Sequence, residues 1–229
     1  MADYAAYLRR LQEDPKEAEA LPTRMRVTVT RFFRGQATWR TMADSILPRL
    51  AEEAPAGLLR ALSVGCACGE EPYSLALVWL HWLQPRYPRH RLQVLATNID
   101  ETNLARAAQG LYPPSALREV PATVRETWFG PGPGGLLRLD PGAVALVSFR
   151  RHDLLDEPLP AGFDLVLCRY LAFTYFVGRR RQKATERLRA SLRPGGFLVI
   201  GRSENLDATS PGLEPWPLGP GLYIASQAR

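Results

Sequence analysis

Apolar and polar residues alternate along the chain in two rhythms, one typical of buried strands and one typical of amphipathic helices. Short apolar runs rich in leucine, valine and isoleucine predict strands at 58–64, 91–97, 163–168, 197–201 and 222–225. Helical spacing and capping residues between them predict helices at 39–51, 72–83, 101–109, 120–129 and 182–192. Pro48 should kink or shorten the first of these helices. This alternation indicates an α/β fold with a mostly parallel sheet and helices on both faces.

Two stretches depart from this alternation. Residues 1–27 begin with apolar positions at helical spacing, which predicts a short N-terminal helical segment. Residues 130–135 read GPGPGG and predict an irregular loop, because glycine and proline interrupt regular structure. The apolar segments on either side of residues 140–142 (DPG) predict a small β-hairpin, so a β-subdomain is expected at about 130–149.

The turn after the first strand has the composition of a ligand-binding turn. The strand runs into the small residues Gly65 to Gly69, and the carboxylates Glu70 and Glu71 then open a helix. Glycine permits close approach to the backbone and a helix N-terminus offers free N–H groups, as in nucleotide-binding α/β sheets. The two carboxylates would repel a phosphate, so the turn favours a ligand with a positive end or hydroxyl groups. The spacing also lacks the GxGxxG pattern of dinucleotide sites.

Composition narrows the class of protein. A chain of 229 residues suits one large domain, or one domain with a small appendage. The net charge is +6, but a solvated helix face accounts for the only short basic run, 179–181, so a nucleic-acid partner is not favoured. Three cysteines without a second Cys or His cluster indicate reduced buried thiols, and no metal is expected. The charged N-terminus and the absence of a membrane-length apolar run predict a cytoplasmic protein without membrane insertion.

Six motifs occur in a fixed order between residues 28 and 205. They are TRFFR at 30–34, GCACGEEPYS at 65–74, ATNID at 96–100, DLL at 153–155, CRY at 168–170 with YF at 175–176, and GRSEN at 201–205. With these motifs the chain resembles the chemotaxis receptor glutamate O-methyltransferase (CheR) family, whose enzymes use S-adenosylmethionine. The resemblance implies a class I methyltransferase domain, Rossmann-like, over residues 28–229, preceded by a remnant of the family's N-terminal helical domain at 1–27. The predicted hairpin resembles the family's inserted β-subdomain.

The resemblance also implies a cofactor site, with S-adenosylhomocysteine as the product. The cofactor-binding residues that it carries over are Thr28, Thr30, Arg34, Gly65, Glu71, Asn98, Asp153, Leu154, Arg169 and Tyr170. Glu71 would meet the ammonium or sulfonium region of the cofactor, and Asp153 would accept a hydrogen bond from the adenine amine. Asn98 stands where the family has a carboxylate for the ribose, so binding should weaken unless Asp100 takes over that role.

Arg34 and Tyr175 are the candidate catalytic residues, because the resemblance places them near the transferable methyl group. A carboxylate acceptor is already ionised at pH 7, so methyl transfer needs positioning and removal of water rather than a general base. Arg34 could hold that carboxylate by a bidentate contact, and the Tyr175 phenol could steer the sulfonium or the acceptor. Taken without the resemblance, Tyr175 would more often be a core aromatic residue.

Two departures from the family leave the acceptor open. The N-terminal segment is too short for the family's receptor-docking domain, and Tyr170 stands where the family has asparagine. The expected activity is methyl transfer to a carboxylate oxygen, with a protein glutamate as acceptor. A methyltransferase acting on a small-molecule carboxyl, hydroxyl or thiol group is one alternative, and a cofactor-binding module without catalysis is another. The sequence does not indicate the oligomeric state.

Overall fold

The computed structural model describes residues 30–54, 57–206, 210 and 212–226, together with positions 7, 10, 13 and 14. Tyr7, Arg10 and Glu13 are helical and exposed, and the rest of the predicted N-terminal segment lies outside the described residues. Thr28, one of the predicted cofactor-binding residues, also lies outside them.

The described residues form ten strands, seven α-helices, of which two are continued by π-helical turns, and two 3₁₀ helices at Pro114–Leu117 and Pro133–Gly135. The strands are β1 (Leu58–Val64), β2 (Arg91–Asn98), β3 (Leu111–Tyr112), β4 (Phe129–Pro131), β5 (Leu137–Leu139), β6 (Val147–Arg151), β7 (Phe163–Leu167), β8 (Leu192–Val199), β9 (Leu213–Pro215) and β10 (Leu222–Ala225). The helices are α1 (Gln36–Thr41, continued by the π-helical Met42–Ile46 and by Leu47–Glu53), α2 (Glu70–Val78, continued by the π-helical Trp79–Leu83), α3 (Glu101–Gln109), α4 (Ala122–Trp128), α5 (Pro141–Val144), α6 (Ala172–Tyr175) and α7 (Gly178–Ser191).

Seven of the strands form one twisted sheet in the order β6-β2-β1-β7-β8-β10-β9. The pairs from β6 to β8 are parallel, and β10 runs antiparallel to both of its neighbours, β8 and β9. This topology confirms the predicted mostly parallel α/β sheet. The chain proceeds from β1 to β2 on one side and reaches β7 on the other side, so β1 and β7 flank the point where strand order reverses. In such sheets a ligand crevice lies at that point, outside the carboxyl ends of the strands.

A second, small antiparallel sheet has the order β3-β5-β4 and corrects the predicted β-subdomain. The expectation of an irregular loop at 130–135 is partly wrong, because Gly130 and Pro131 belong to β4, an edge strand where a missing N–H is tolerated. The hairpin predicted across residues 140–142 is wrong. Asp140 caps α5 by accepting from the Gly142 N–H at 2.7 Å, β5 pairs with β4, and β6 joins the large sheet beside β2.

The observed bounds of other elements that contain proline or glycine also differ from the predicted ones. Pro48 does not break α1, because the π-helical turn Met42–Ile46 rearranges the backbone hydrogen bonds immediately before it. Residues 193–196, which lie between the predicted helix at 182–192 and the predicted strand at 197–201, belong to β8, where an irregularity in the β7–β8 register accommodates the extra residues. Helix α7 begins at Gly178 rather than at Gln182.

The segment that carries Arg34 is anchored in the core by an aromatic pair. Phe32 is fully buried and Phe33 is 3% exposed, so this segment packs on the core. The Phe32 ring lies edge-on to Tyr112 at 4.7 Å and to Phe129 at 5.2 Å, so it joins the segment to the small sheet. This packing fixes Arg34 two positions further along the chain.

Candidate active site

A cavity of about 720 Å³ opens at the carboxyl ends of the parallel strands, where the sheet topology favours a ligand site. Its lining includes six of the predicted site residues: Gly65, Asn98, Asp153, Leu154, Tyr170 and Tyr175. These six lie at the end of β2 or in the segments after β1, β6 and β7, so the sheet brings together residues that are far apart in sequence. Thr30, Arg34, Glu71 and Arg169 are not part of this lining.

The turn after β1 provides space rather than hydrogen-bond donors at its start. Gly65 has a φ of +74°, and a Cβ there would lie 2.5 Å from Cδ2 of Leu171. The N–H groups of Gly65 and Cys66 both donate to the Thr97 carbonyl, at 2.8 and 2.9 Å. Because these donors are already used, the start of the turn does not form a phosphate-binding nest. This agrees with the expectation of a ligand without phosphate.

Glu71 lies behind the turn, in a buried polar cluster. Its Oε1 accepts a hydrogen bond from the Ser63 hydroxyl at 2.9 Å, and its Oε2 lies 3.6 Å from Nη1 of Arg169. Burial raises the pKa of the Glu71 carboxyl, while the Arg169 guanidinium and the Ser63 hydroxyl oppose that shift. The Arg169 side chain is only 3% exposed and donates through Nη2 to the Arg34 carbonyl at 2.5 Å. Arg169 therefore links α2 to the Arg34 segment.

Glu70 is the more strongly perturbed of the two neighbouring carboxylates. Burial raises the pKa of Glu70 to about 7, against hydrogen bonds from its own backbone N–H and from the Thr30 side chain. Its Oε2 atom is buried and has no hydrogen-bond partner among the described residues. Thr30 thus contacts the first residue of α2 rather than the cavity.

The ends of β2 and β6 place an amide and a carboxylate on the cavity wall. Asn98 Oδ1 accepts from the Asp100 N–H at 3.0 Å, and Asp153 Oδ1 accepts from the Leu155 N–H at 2.7 Å. Both side chains are thereby held by their own turns. Asp100 caps α3 by accepting from the N–H groups of Thr102 and Asn103, and it does not line the cavity. The geometry therefore does not favour Asp100 as a replacement for Asn98.

Arg34, Tyr170 and Tyr175 differ in how they reach the cavity. Tyr175 lines it and is 60% exposed, so the interpretation of Tyr175 as a core aromatic residue is wrong. The short helix α6 turns Ala172 and Phe173 inward instead. Tyr170 also lines the cavity, and the Arg34 guanidinium lies 4.0 Å from the centre of its ring. Arg34 is thus adjacent to the cavity through the Tyr170 ring.

Backbone strain marks the same region. Among the described residues, the non-glycine residues with left-handed φ are Phe33 (54°), Ala67 (48°) and Tyr170 (57°). Phe33 precedes Arg34, Ala67 lies in the turn after β1, and Tyr170 lines the cavity. Such conformations persist where the surrounding structure enforces them, and they concentrate at functional sites.

Several residues of this region were not predicted from the sequence. Asn103, His152, Arg180 and Lys183 line the cavity, and the buried Glu204 accepts hydrogen bonds beneath Tyr170. The GRSEN motif drew attention to Glu204 without giving it a role. Because α7 begins at Gly178, it includes both Arg180 and Lys183, and positions three apart share a helix face. The later start predicted at 182 separated Arg180 from this helix.

The described residues offer no group of three His, Cys, Asp or Glu side chains that could hold a metal ion. The cysteines form no disulfide; Cys66 and Cys168 are buried and Cys68 is half-buried. Burial raises the pKa of all three thiols. Within the part of the chain that the structure describes, no helix is both long enough and apolar enough to cross a membrane.

Comparison with known proteins identifies the family. The family model described as "CheR methyltransferase, SAM binding domain" matches residues 28–215. The chain belongs to the CheR methyltransferase family. The match includes the turn after β1, the residues after β2, β6 and β7, and the segment that carries Arg34. As a CheR-type protein, the chain is an S-adenosylmethionine-dependent methyltransferase.

Relatives of this CheR protein differ in overall length. A chemotaxis protein methyltransferase of Listeria monocytogenes is 32% identical over 203 residues, covering 89% of this chain and 75% of the relative. Chemotaxis protein methyltransferase 2 of Pseudomonas aeruginosa is 31% identical over 210 residues, covering 90% and 73%. An uncharacterised 104.1 kDa protein of Rhodobacter capsulatus is 32% identical over 205 residues, and the chain spans only 21% of it.

The polar and apolar groups that line the cavity of this CheR protein fit S-adenosylmethionine. The Asp153 carboxylate and the Asn98 amide are acceptors for an amine and a hydroxyl, and Leu154 supplies an apolar surface for a ring. The absence of a Cβ at Gly65 leaves room for close approach. The cofactor carries no phosphate, and the turn after β1 is not built to bind one.

Proposed function

We propose that this protein transfers the methyl group of S-adenosylmethionine to a carboxylate oxygen of a protein glutamate. The observation that carries the proposal is the CheR family match over residues 28–215, which includes the segments that line the cavity at the strand ends. The relatives named chemotaxis protein methyltransferases support a protein acceptor.

The cavity lining provides the nucleoside end of the cofactor site. Asp153 would accept a hydrogen bond from the adenine amine, Leu154 would pack on the ring, and Asn98 would accept from one ribose hydroxyl. Gly65 would let the cofactor pass close to the backbone. Asn98 and Asp153 are already oriented by bonds within their own turns, so little side-chain entropy is lost on binding.

The buried polar cluster behind the turn provides the charged end. Glu71 would interact with the cofactor's ammonium or sulfonium region, with Arg169 as its present cationic neighbour at 3.6 Å. Thr28, Thr30, Arg169 and Tyr170 complete the proposed set of cofactor-binding residues. The bound cofactor supplies an electrophilic methyl group, and the protein supplies its position and a site shielded from water.

The acceptor would approach from the side of Tyr175. An ionised carboxylate needs no general base, so the residues there act by holding and orienting it. Arg34 is the candidate for a bidentate contact, and the exposed phenol of Tyr175 would orient the acceptor or the sulfonium. Lys183 and Arg180 add positive charge to the same cavity wall, which suits an anionic acceptor.

Calorimetry with S-adenosylhomocysteine tests the cofactor site. Binding by the wild-type chain is expected, and Glu71→Ala and Asp153→Ala should each weaken it by about tenfold, since one hydrogen bond to a charged group is lost. Asp153→Asn keeps the acceptor for the Leu155 N–H and separates the loss of charge from the loss of the turn. The exposed Glu214→Ala is the control. Unchanged affinity in both alanine variants would mean that the pocket is misplaced, and no wild-type binding at millimolar ligand would refute the cofactor assignment.

Radiolabelled S-adenosylmethionine and a lysate of the host test the acceptor. We expect the label to be attached to protein and to be released from it as methanol under base, as a carboxyl methyl ester would be. Label in the small-molecule fraction would overturn the protein acceptor. Tyr175→Phe should lower the rate while the affinity for S-adenosylhomocysteine stays close to wild type. Cofactor binding without transfer to any fraction would show a module that has lost catalysis.

A further inference from the structure

Glu204 connects three elements beneath the cavity. Its carboxylate is buried, with the residue 4% exposed. Oε2 accepts from the N–H groups of Gly201 at 2.6 Å and Tyr170 at 2.8 Å, and Oε1 accepts from the Thr174 hydroxyl at 2.5 Å. These donors belong to the segment after β8, the segment after β7 and helix α6. One carboxylate therefore fixes the segment that carries both Tyr170 and Tyr175.

Tyr170 is held in a strained backbone conformation by these contacts. Its φ is +57°, a region that residues with a Cβ seldom adopt, and its N–H is the one that Glu204 accepts. Gly201 leaves room for the ring, because a Cβ there would lie 2.7 Å from Cε1 of Tyr170. The ring position is thus set by the backbone below it and by the absence of a side chain beside it.

The Tyr170 ring in turn supports the Arg34 guanidinium. The Arg34 Cζ atom lies 4.0 Å from the ring centre, which is close enough for a cation–π interaction. The half-buried location of both side chains strengthens such an interaction relative to an exposed pair.

We propose that Glu204 and Tyr170 are positioning residues that set the orientation of Arg34 beside the cavity. Glu204 fixes the Tyr170 backbone, and the Tyr170 ring fixes the guanidinium. This orientation of Arg34 is a property of the folded chain alone. Its effect on catalysis rests on the proposed function of Arg34 as the carboxylate-binding residue.

Nuclear magnetic resonance of the full chain with ¹³C-labelled arginine tests the positioning directly. The Cδ–H resonances of Arg34, identified by their absence in Arg34→Lys, should carry an upfield ring-current shift in the wild type and in Tyr170→Phe. The shift should be lost in Tyr170→Leu, which keeps an apolar side chain without the aromatic face. It should also be reduced in Glu204→Gln. Wild-type resonances in Tyr170→Leu and Glu204→Gln would refute the proposal.

Asp164→Asn is the matched control for Glu204→Gln. Asp164 is also 4% exposed and accepts from the Arg60 N–H at 2.7 Å and from Nε of Arg193 at 2.5 Å, but it lies in β7. Its substitution should lower stability without moving the Arg34 resonances. If Glu204→Gln does not fold, Thr174→Val removes one of the three donors and should reduce the shift partially. A shift lost equally in Asp164→Asn would also refute the proposal.

The catalytic consequence is measured separately, on the protein fraction that takes up label. Tyr170→Leu should have a kcat/KM about tenfold below that of Tyr170→Phe, which keeps the aromatic face, because tenfold is the size of a partly desolvated cation–π interaction. A ring-current shift in a chain that binds no S-adenosylhomocysteine would refute the proposed function and leave the positioning intact. Normal methyl transfer by Tyr170→Leu would refute the catalytic consequence.

Discussion

Glu70 should make the folded protein less stable as the pH rises from about 4.5 to about 7. Burial raises the pKa of this carboxyl from 4.5 to about 7 in the folded chain. Between these values the folded state holds a proton that the unfolded state has released, so the free energy of unfolding falls as the pH rises. Each pKa unit corresponds to about 1.4 kcal/mol, so the loss approaches about 3 kcal/mol above pH 7.

The pKa of Glu70 is raised because its carboxylate is buried and one of its oxygens accepts no hydrogen bond among the described residues. Glu70 is 6% exposed, and its Oε2 has no hydrogen-bond partner among the described residues, although Thr30 and its own N–H contact the carboxylate. Glu70→Gln resembles the protonated acid in shape and stays neutral. The variant should match the wild type near pH 4 and exceed its stability by up to about 3 kcal/mol near pH 8.

Urea unfolding followed by tryptophan fluorescence at a series of pH values measures this difference. The control is Glu101→Gln, which removes an exposed carboxylate in the first turn of α3 instead of a buried one. The reasoning fails if the stability difference between Glu70→Gln and the wild type is the same at pH 4 and pH 8.

Two further predictions concern the cavity wall. Gly65→Ala should weaken S-adenosylhomocysteine binding and lower the melting temperature more than Gly134→Ala does. Both glycines have positive φ, but only at Gly65 would an added Cβ have a neighbour within 4 Å. Equal effects of the two substitutions on both measurements would contradict this prediction. Lys183→Gln should raise the KM for an acidic protein acceptor and make that KM less dependent on salt concentration. Arg179→Gln, on the same helix but outside the cavity lining, should change neither. A change in cofactor affinity instead of KM would place Lys183 at the cofactor.

The parts of the fold that the sequence predicted well are those decided by local pattern. The run at 58–64 matches β1, and the helix at 101–109 matches α3, whose Asp100 cap and terminal Gly110 are both local signals. Asp140 shows the limit of such signals. An Asp-Pro-Gly sequence suits a hairpin turn and the start of a helix equally, and only the pairing of β6 with β2 decides between them.

The candidate site shows the same division. Its motifs located the residues after each strand, because those positions follow directly from where the strands end. The links between motifs could not be predicted, since Arg169 reaches the Arg34 carbonyl from 135 positions away. Glu204 is 34 positions from the Tyr170 N–H that it accepts. Contacts at such separations depend on strand order and register, which periodicity does not contain.

The two acidic residues that open α2 serve different purposes, and their surroundings explain why. For Glu70, burial is the largest influence on the pKa, ahead of the hydrogen bonds from its own N–H and from Thr30 and ahead of Arg106, so burial favours its neutral form. Burial also raises the pKa of Glu71, but Arg169 and the Ser63 hydroxyl lower that pKa and so favour the charged form. Only a charged carboxylate can bind a cationic ligand strongly. The polar cluster around Glu71 is therefore suited to the charged end of the cofactor, and Glu70 to joining α2 with the segment that carries Arg34.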